Sequence, residues 1–317
     1  MSLSLAFRLY ARRTSSTLLE RGERAIARLK TRWRVRRAGP AEVAPPVSPI
    51  PLELAGEEGP WSRARLELLG ELWGPGFVSP GSEVFTMELV APLAPKPSMR
   101  LLNLNAALGG AARTIAATCQ MPVAAVEADA TLARIGTEMS RREGLGERVV
   151  IAHCETARLG EWLGEGRQPF DGVFAKEGFL GIEDKQPVFA AIAQYLKPGG
   201  RLVFLDYVIG EAGISGRERR AWMEIEPAPP HPWTAGQMVA GLEAAGLEAA
   251  TPEDLTGRIR RMTLQGWSDY ARRLKRRQVP VPAVPGAILR EVEVWARRVM
   301  AFERGGLRIM RFSAAKR

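Results

Sequence analysis

The residues best suited to chemistry in this sequence lie in a turn of small residues and in the acid that follows it. Residues 99–113 are MRLLNLNAALGGAAR, and residues 123–129 are VAAVEAD, in which Glu127 ends an apolar segment. A carboxylate can accept hydrogen bonds from two neighbouring hydroxyl groups at once, as a ribose presents them. An apolar strand, a small-residue turn, a helix and a second strand ending in an acid are typical of nucleotide-type sites in open α/β sheets.

Further polar residues follow the next apolar segments along the chain. His153 and Glu155 follow residues 149–152, Glu177 follows FDGVFAK, and Tyr207 ends RLVFLDY. Glu177, Tyr207 and His153 are therefore candidate acid, base or orienting groups. The other interpretation of His153, and of His231, is an ordinary structural or surface histidine.

Several classes of site are disfavoured by the composition. The chain has two histidines and two cysteines, and this set matches neither a disulfide framework nor a zinc ligand set, so we expect no metal site. A reducing compartment is expected on the same ground. There is no apolar run of about 18 residues and no secretory signal pattern, so we expect a cytoplasmic protein.

The net charge of +10 is unevenly distributed. Residues 1–37 carry a net charge of +9 and residues 257–317 a net charge of +12, whereas residues 38–256 carry −11. Leu19, Ile26 and Trp33 lie on one face of a predicted basic amphipathic helix. Such a helix can bind the inner face of an anionic membrane or an acidic protein partner, and the alternatives are a solvated extension or a transit peptide.

Apolar segments and helical patterns alternate from residue 100 onward, which predicts a doubly wound, mostly parallel sheet of seven strands. The expected strands are 101–105, 123–127, 149–152, 172–175, 201–208, 247–250 and 307–314. We expect helices over 111–119, 130–143, 187–196 and 233–245 between them, with Lys-Pro-Gly-Gly at 197–200 ending the third.

Composition divides the chain into five parts. We expect a basic extension over 1–38, a proline-rich linker over 39–59 and an α/β domain over 60–256. A helical insertion over 257–304 is expected to cover the sheet, and residues 305–317 supply the last strand. Two helices, 61–72 and 82–90, precede the sheet, and the Gly-Pro-rich segment between them is either a cover over the ligand or an ordinary loop.

The order and spacing of these segments resemble the class I S-adenosylmethionine-dependent methyltransferases. The likeness is to small-molecule members such as the phosphoethanolamine and sarcosine/dimethylglycine N-methyltransferases and the cyclopropane-synthase-like enzymes. In that family the first strand carries an acid followed by Gly-x-Gly-x-Gly. Here Asn103 occupies the position of the acid. The positions of the three glycines are occupied by Asn105, Ala107 and Gly109, and Gly110 extends the turn.

The resemblance implies S-adenosylmethionine as the cofactor. Glu127 then takes the ribose hydroxyls with Ala128 beside it, and Glu155 lies near the adenine amino group. Ala175 and Glu177 line the cleft for methyl transfer to a small-molecule or lipid-like acceptor. The implied cofactor-binding set is Asn103, Asn105, Ala107, Gly109, Gly110, Glu127, Ala128, Glu155 and Ala175.

The departures from the glycine pattern have physical consequences. Asn105 enters the left-handed backbone region more readily than most residues, and the methyl group of Ala107 is either tolerated or crowds the ligand. Asn103 keeps a hydrogen-bond acceptor but has no negative charge, which weakens binding of a cationic group by about 1–2 kcal/mol.

Two functions from different classes follow. The first is direct methyl transfer, which needs no nucleophile from the protein. The alternative is a methyltransferase-like pseudoenzyme that serves as a binding or scaffold protein at a membrane or in a complex. The segment at 174–177 lacks the Asn/Asp-Pro-Pro-aromatic run of base-modifying enzymes, which argues against nucleic-acid bases as acceptors, and the turn disfavours a nicotinamide-dependent oxidoreductase.

Overall fold

A computed structural model describes residues 50–164, 168–224, 226, 229–276 and 285–317. The predicted N-terminal helix, and the linker up to residue 49, lie outside the described residues. No helix in the described ranges is long and apolar enough to cross a membrane.

Helices and strands alternate through most of the described chain. The strands are β1 Leu101–Leu104, β2 Val123–Glu127, β3 Val149–His153, β4 Phe170–Lys176, β5 Leu196–Ile209, β6 Leu247–Ala249, β7 Glu253–Asp254 and β8 Leu307–Lys316. The helices are α1 Arg63–Trp73, α2 Glu83–Val90, α3 Gly110–Cys119, α4 Ala130–Arg142, α5 Leu159–Leu163, α6 Gln186–Tyr195, α7 Gly216–Met223, α8 Ala235–Ala244, α9 Thr256–Lys275 and α10 Pro285–Glu303.

The strands form one sheet in the order β3-β2-β1-β4-β5-β8-β6, and β7 pairs with β8. Strands β1 to β5 pair in parallel, whereas β8 is antiparallel to both β5 and β6. The predicted α/β class with a mostly parallel sheet is confirmed. The predicted number of seven strands is wrong, because the two exposed residues of β7 add an eighth strand that has no apolar pattern.

Both faces of the sheet are buried. Phe174 and Val203 contribute to the core on one face, and Val173 and Phe204 contribute to the core on the other. Phe204 stacks on Phe312 of β8 with ring centroids 4.8 Å apart. Burial on both faces is the reason that these strands appear as continuous apolar runs rather than alternating patterns.

The Lys-Pro-Gly-Gly segment follows α6, as predicted, but it lies inside β5, which begins at Leu196 rather than at residue 201. Leu196 pairs with Phe170 whereas Arg201 pairs with Gly172, and the residues between them form a bulge in the ladder. Gly199 has φ +76°, a value that a glycine adopts without strain. The two glycines therefore lie in a bulge of an irregular strand rather than in a turn.

The segment predicted as a helical insertion contains α9 and α10, and both helices pack on α1. Trp295 of α10 meets Trp73 of α1 edge to face, with ring centroids 5.3 Å apart. Arg65 of α1 and Glu291 of α10 form a buried ion pair at 2.5 Å. Helix α1, before β1, and the two helices between β7 and β8 therefore join into one cover.

Candidate functional site

The turn after β1 has the backbone conformation of a glycine-rich turn without all of its glycines. Asn105, Ala107 and Gly109 have φ values of +51°, +50° and +77°. These are the three positions that the resemblance matched to glycine. For a residue with a side chain, the left-handed region costs about 1–2 kcal/mol, and this cost is lowest for asparagine and aspartate.

Glu127 at the end of β2 is held against this turn. Glu127 is buried and only 3% exposed. Its Oε2 accepts a hydrogen bond from the Ala107 N–H at 2.7 Å, and its Oε1 accepts one from the Asp129 N–H at 2.9 Å. Burial raises the pKa of this carboxyl, although the two N–H donors favour its ionised form. Each oxygen has further acceptor capacity for a ligand hydroxyl.

Asn103 of β1 holds an unsatisfied acceptor. Its Nδ2 donates to the carbonyls of Leu104 and Phe174 at 3.0 and 3.3 Å, so the orientation of the amide is fixed by two acceptors. Its Oδ1 is buried and has no hydrogen-bond partner among the residues that the structure describes. A buried acceptor of this kind is expected to find a donor, and an amine of a ligand would be one.

Asn105 joins the ends of two strands. Its Nδ2 donates to the carbonyl oxygens of Lys176 and Glu177 at 3.2 and 3.0 Å, at the carboxyl end of β4. Strands β1 and β4 flank the point at which the strand order reverses. Ligands of open α/β sheets bind in the crevice at this point.

The residue after β2 and the carboxyl end of β3 are open to solvent. Ala128, His153 and Glu155 are exposed, and His153 Nε2 lies 3.0 Å from the Ala128 carbonyl. The structure thus places His153 beside the predicted cofactor residues at this edge of the sheet. It does not bring His153 together with Tyr207, which lies on the other side of β4.

Glu177 and Tyr207 are linked by a residue that the sequence analysis missed. Nη1 of Arg298 lies 3.7 Å from Glu177 Oε2, and it donates to the Tyr207 hydroxyl at 3.2 Å. Arg298 also forms a two-point ion pair with Glu226, with Nε–Oε1 and Nη2–Oε2 distances of 2.8 and 2.6 Å. The sequence contains one indication that Arg298 faces the core, because Arg298 lies on the same helical face as Trp295 and Phe302.

Tyr207, which the sequence analysis gave as a candidate acid, base or orienting group, is closed off from solvent. It is fully buried, and its ring stacks on Phe302 of α10 with centroids 6.0 Å apart. Burial raises the pKa of the phenol well above its usual value, so the hydroxyl stays neutral. The side chain points under α10 because the apolar face of that helix covers the end of β5.

The segment between α1 and α2 covers the turn, and we refer to residues 74–81 as the strap. The carbonyl of Gly76 accepts from the Gly110 N–H at 3.0 Å, at the start of α3. Lys176 Nζ donates to the carbonyl of Pro80 at 2.8 Å, and burial lowers the pKa of this amine. The strap therefore spans from the glycine turn to the end of β4.

A second buried network fixes the loop after β4. Asp206 accepts from the N–H groups of Phe179 and Tyr207, both at 2.7 Å, and Lys185 Nζ donates to the His231 carbonyl at 2.7 Å. Burial raises the pKa of Asp206 to about 7 and lowers the pKa of Lys185 to about 8. These contacts hold the loop onto β5.

Comparison with known proteins identifies the class of this fold. No protein-family model matches the sequence. Phosphoethanolamine N-methyltransferase 1 of Triticum aestivum is 26% identical over 136 residues, which are 43% of this chain and 26% of that protein. The glycine/sarcosine/dimethylglycine N-methyltransferase of Actinopolyspora halophila is 28% identical over 129 residues, which are 41% of this chain and 22% of that protein. The chain thus matches about a quarter of the length of these curated relatives.

Solved structures agree in fold. Phosphoethanolamine N-methyltransferase 2 of Haemonchus contortus, in complex with phosphomonomethylethanolamine and S-adenosylhomocysteine, superposes with a TM-score of 0.68 at 20% identity, covering 78% of this chain and 56% of that one. A putative sarcosine dimethylglycine methyltransferase from Galdieria sulphuraria gives 0.65 at 14% identity, covering 80% and 98%.

The fold is that of the class I S-adenosylmethionine-dependent methyltransferases. Within that class, the proteins to which the chain is similar in sequence and in structure are small-molecule methyltransferases, as the resemblance implied.

Proposed function

We propose that this protein is an S-adenosylmethionine-dependent methyltransferase that acts on a small-molecule or lipid-like acceptor by direct methyl transfer. The observation that carries the proposal is Glu127, whose two oxygens are oriented by backbone N–H groups beside a turn in the left-handed conformation. The methyltransferases to which the chain is similar support it.

The residues at the carboxyl edge suit this cofactor. Glu127 would take the ribose hydroxyls, with Ala128 and Glu155 at the adenine edge, and the orphaned Oδ1 of Asn103 would accept from the amine. The turn residues Ala107, Gly109 and Gly110, with Ala175 of β4, would complete the lining. The cofactor supplies the electrophilic methyl group, and the protein orients both reactants and excludes water.

Glu177 is our proposed acceptor-orienting group, because it lies at the end of β4 next to the crevice. Tyr207 acts indirectly, through Arg298, because its hydroxyl accepts a hydrogen bond from the same Arg298 nitrogen that approaches Glu177. His153, exposed beside Ala128, is proposed to act at the edge of the cofactor rather than on the acceptor.

Calorimetric titration with S-adenosylmethionine and S-adenosylhomocysteine tests the proposal. We expect binding by the wild-type chain and at least a tenfold loss in Glu127→Ala, because a ribose clamp contributes hydrogen bonds to a charged group. The matched control is Glu248→Ala, an exposed glutamate on β6 at the far side of the sheet. Absence of binding at millimolar ligand would overturn the proposal and favour the pseudoenzyme alternative.

We also propose that the protein is cytoplasmic and attaches to an anionic membrane surface through residues 1–37. The support is the net charge of +9 in this segment. Removal of residues 1–37 should reduce sedimentation with phosphatidylserine vesicles at low salt. Unchanged sedimentation of the truncated chain would reject the attachment.

A further inference from the structure

The order of groups along the carboxyl edge of the sheet determines which parts of a ligand are held. Strands β3, β2, β1 and β4 lie side by side. His153, Glu127, Asn105 and Glu177 therefore follow one another along the edge. A nucleoside held by its ribose on Glu127 extends over β3 in one direction and over β1 and β4 in the other.

The β3 side of this edge has room for a base. Ala128, His153 and Glu155 are all exposed there. Glu155 offers an acceptor for an exocyclic amino group, and the ring of His153 offers a surface beside it.

On the β1 side, four backbone donors of the turn are already used. The Ala106 N–H donates to the Val126 carbonyl at 3.0 Å, and the Gly109 N–H donates to the Ala106 carbonyl at 2.8 Å. The Ala107 N–H donates to Glu127, and the Gly110 N–H donates to Gly76 of the strap. A ligand carboxylate would find these donors occupied, including the first amide of α3.

Three basic side chains that the structure describes at this end of the sheet are engaged as well. Lys176 is bound to the Pro80 carbonyl, and Arg298 is paired with Glu226. Arg113 forms an ion pair with Glu143 at 3.0 Å and donates to the Leu108 carbonyl at 2.7 Å. Each would have to give up a charge-assisted or buried hydrogen bond to bind a ligand carboxylate.

The acceptors for a ligand amine are weakened in the same region. The Lys176 and Glu177 carbonyls at the crevice each accept from the side chain of Asn105, which lowers their acceptor capacity for a ligand amine. The side-chain acceptor that β1 itself supplies is the neutral amide oxygen of Asn103, and a neutral acceptor holds an ammonium less strongly than a carboxylate does.

We infer that this site binds the adenosine half of its ligand and gains little binding free energy from a charged amino-acid tail. An uncharged 5′-thioether adenine nucleoside is therefore a ligand of this site in its own right. The inference rests on the proposed function, since it uses the same ribose contact at Glu127.

Calorimetry on the full chain, with S-adenosylmethionine and 5′-methylthioadenosine as the probes, tests this inference separately from the proposed function. We expect dissociation constants within about tenfold of each other, because the tail adds less than one charge-assisted hydrogen bond. S-adenosylmethionine binding more than tenfold tighter than 5′-methylthioadenosine would overturn the inference and leave the proposed function intact. Absence of binding by both nucleosides would overturn both.

The variant Asn105→Gly tests the role of the asparagine directly. It frees the Lys176 and Glu177 carbonyls for a ligand amine, so the preference for S-adenosylmethionine over 5′-methylthioadenosine should rise about tenfold. The control is Gln120→Gly, which also removes a side chain at positive φ but lies after α3, at the opposite end of the sheet. An unchanged preference in a folded Asn105→Gly protein would overturn the inference.

Discussion

At the scale of single residues, the turn after β1 stores backbone strain at Ala107. A methyl group at φ +50° is unfavourable by about 1–2 kcal/mol, whereas glycine adopts this conformation freely. The strain persists because the Ala107 N–H is fixed by the buried carboxylate of Glu127. Strained residues of this kind are concentrated at functional sites.

The variant Ala107→Gly should therefore be more stable than the wild type. We expect the free energy of unfolding to rise by about 0.5–1 kcal/mol, since relief of strain exceeds the entropy that glycine loses on folding. Urea denaturation measures the change. The matched control is the neighbouring Ala106→Gly, buried and not at positive φ, which should lose about 1 kcal/mol. Equal destabilisation of both variants would contradict the assignment of strain.

Asp206 makes stability depend on pH. Its pKa is raised to about 7 in the folded protein, so between about pH 4 and 7 the unfolded chain releases a proton that the folded protein keeps. The contribution of Asp206 is complete below pH 4 and is lost as the pH rises through 7. Lys185, with a pKa of about 8, stays protonated in this window.

We therefore expect the stability difference between wild type and Asp206→Asn to fall as the pH rises from 5 to 7, by at most about 1.4 kcal/mol per pH unit. Urea denaturation at pH 5, 6 and 7 measures this slope. The exposed Glu161→Gln serves as the control and should keep the wild-type slope. A pH-independent difference between wild type and Asp206→Asn would show that Asp206 does not titrate in this window.

At the scale of elements, the strap and α3 meet through two glycines. A β-carbon on Gly110 would lie 2.5 Å from the Gly76 carbonyl oxygen and 2.8 Å from its carbon. These neighbours are backbone atoms, so the strap itself must move to accommodate a side chain. The close approach explains why this position of the turn is glycine although Asn105 and Ala107 are not.

The variant Gly110→Ala should displace the strap and lower the free energy of unfolding by about 1–3 kcal/mol. Limited proteolysis should then cut within residues 74–81 faster than in the wild type. Gly181→Ala is the control, because a β-carbon there meets nothing within 4 Å, and it should change stability by less than about 0.5 kcal/mol. A wild-type cleavage rate in Gly110→Ala would show that the strap does not depend on this contact.

At the scale of the whole molecule, the sequence predicted the sheet better than it predicted the cover. Apolar runs and their spacing were sufficient for the parallel strands, and the spacing of Asn105 and Ala107 located the turn. The start of β5 was predicted at residue 201 rather than at Leu196, because a glycine pair in a strand bulge and one between a helix and a strand have the same local composition. The bond from Arg298 to Glu226 joins residues 72 positions apart, and no local pattern indicates which partner a charged residue on an apolar face will take.

The cover depends on an ion pair between distant parts of the chain. Arg65 and Glu291 are 226 positions apart in sequence, and their side chains are 8% and 2% exposed. Removing one partner of such a pair leaves a buried charge without compensation, which costs about 3–5 kcal/mol. Replacing both partners by apolar residues of similar size restores much of the loss.

We therefore expect Arg65→Met to lower the free energy of unfolding by about 3–5 kcal/mol and Arg65→Met/Glu291→Leu to lie within about 2 kcal/mol of the wild type. Urea denaturation of the two variants measures both values. The control is Arg273→Met, which breaks the half-buried Arg273–Glu71 contact between α9 and α1 and should cost at most about 1 kcal/mol. If Arg65→Met costs no more than Arg273→Met, the α1–α10 junction is held by apolar packing, with Trp73 on Trp295 as its centre.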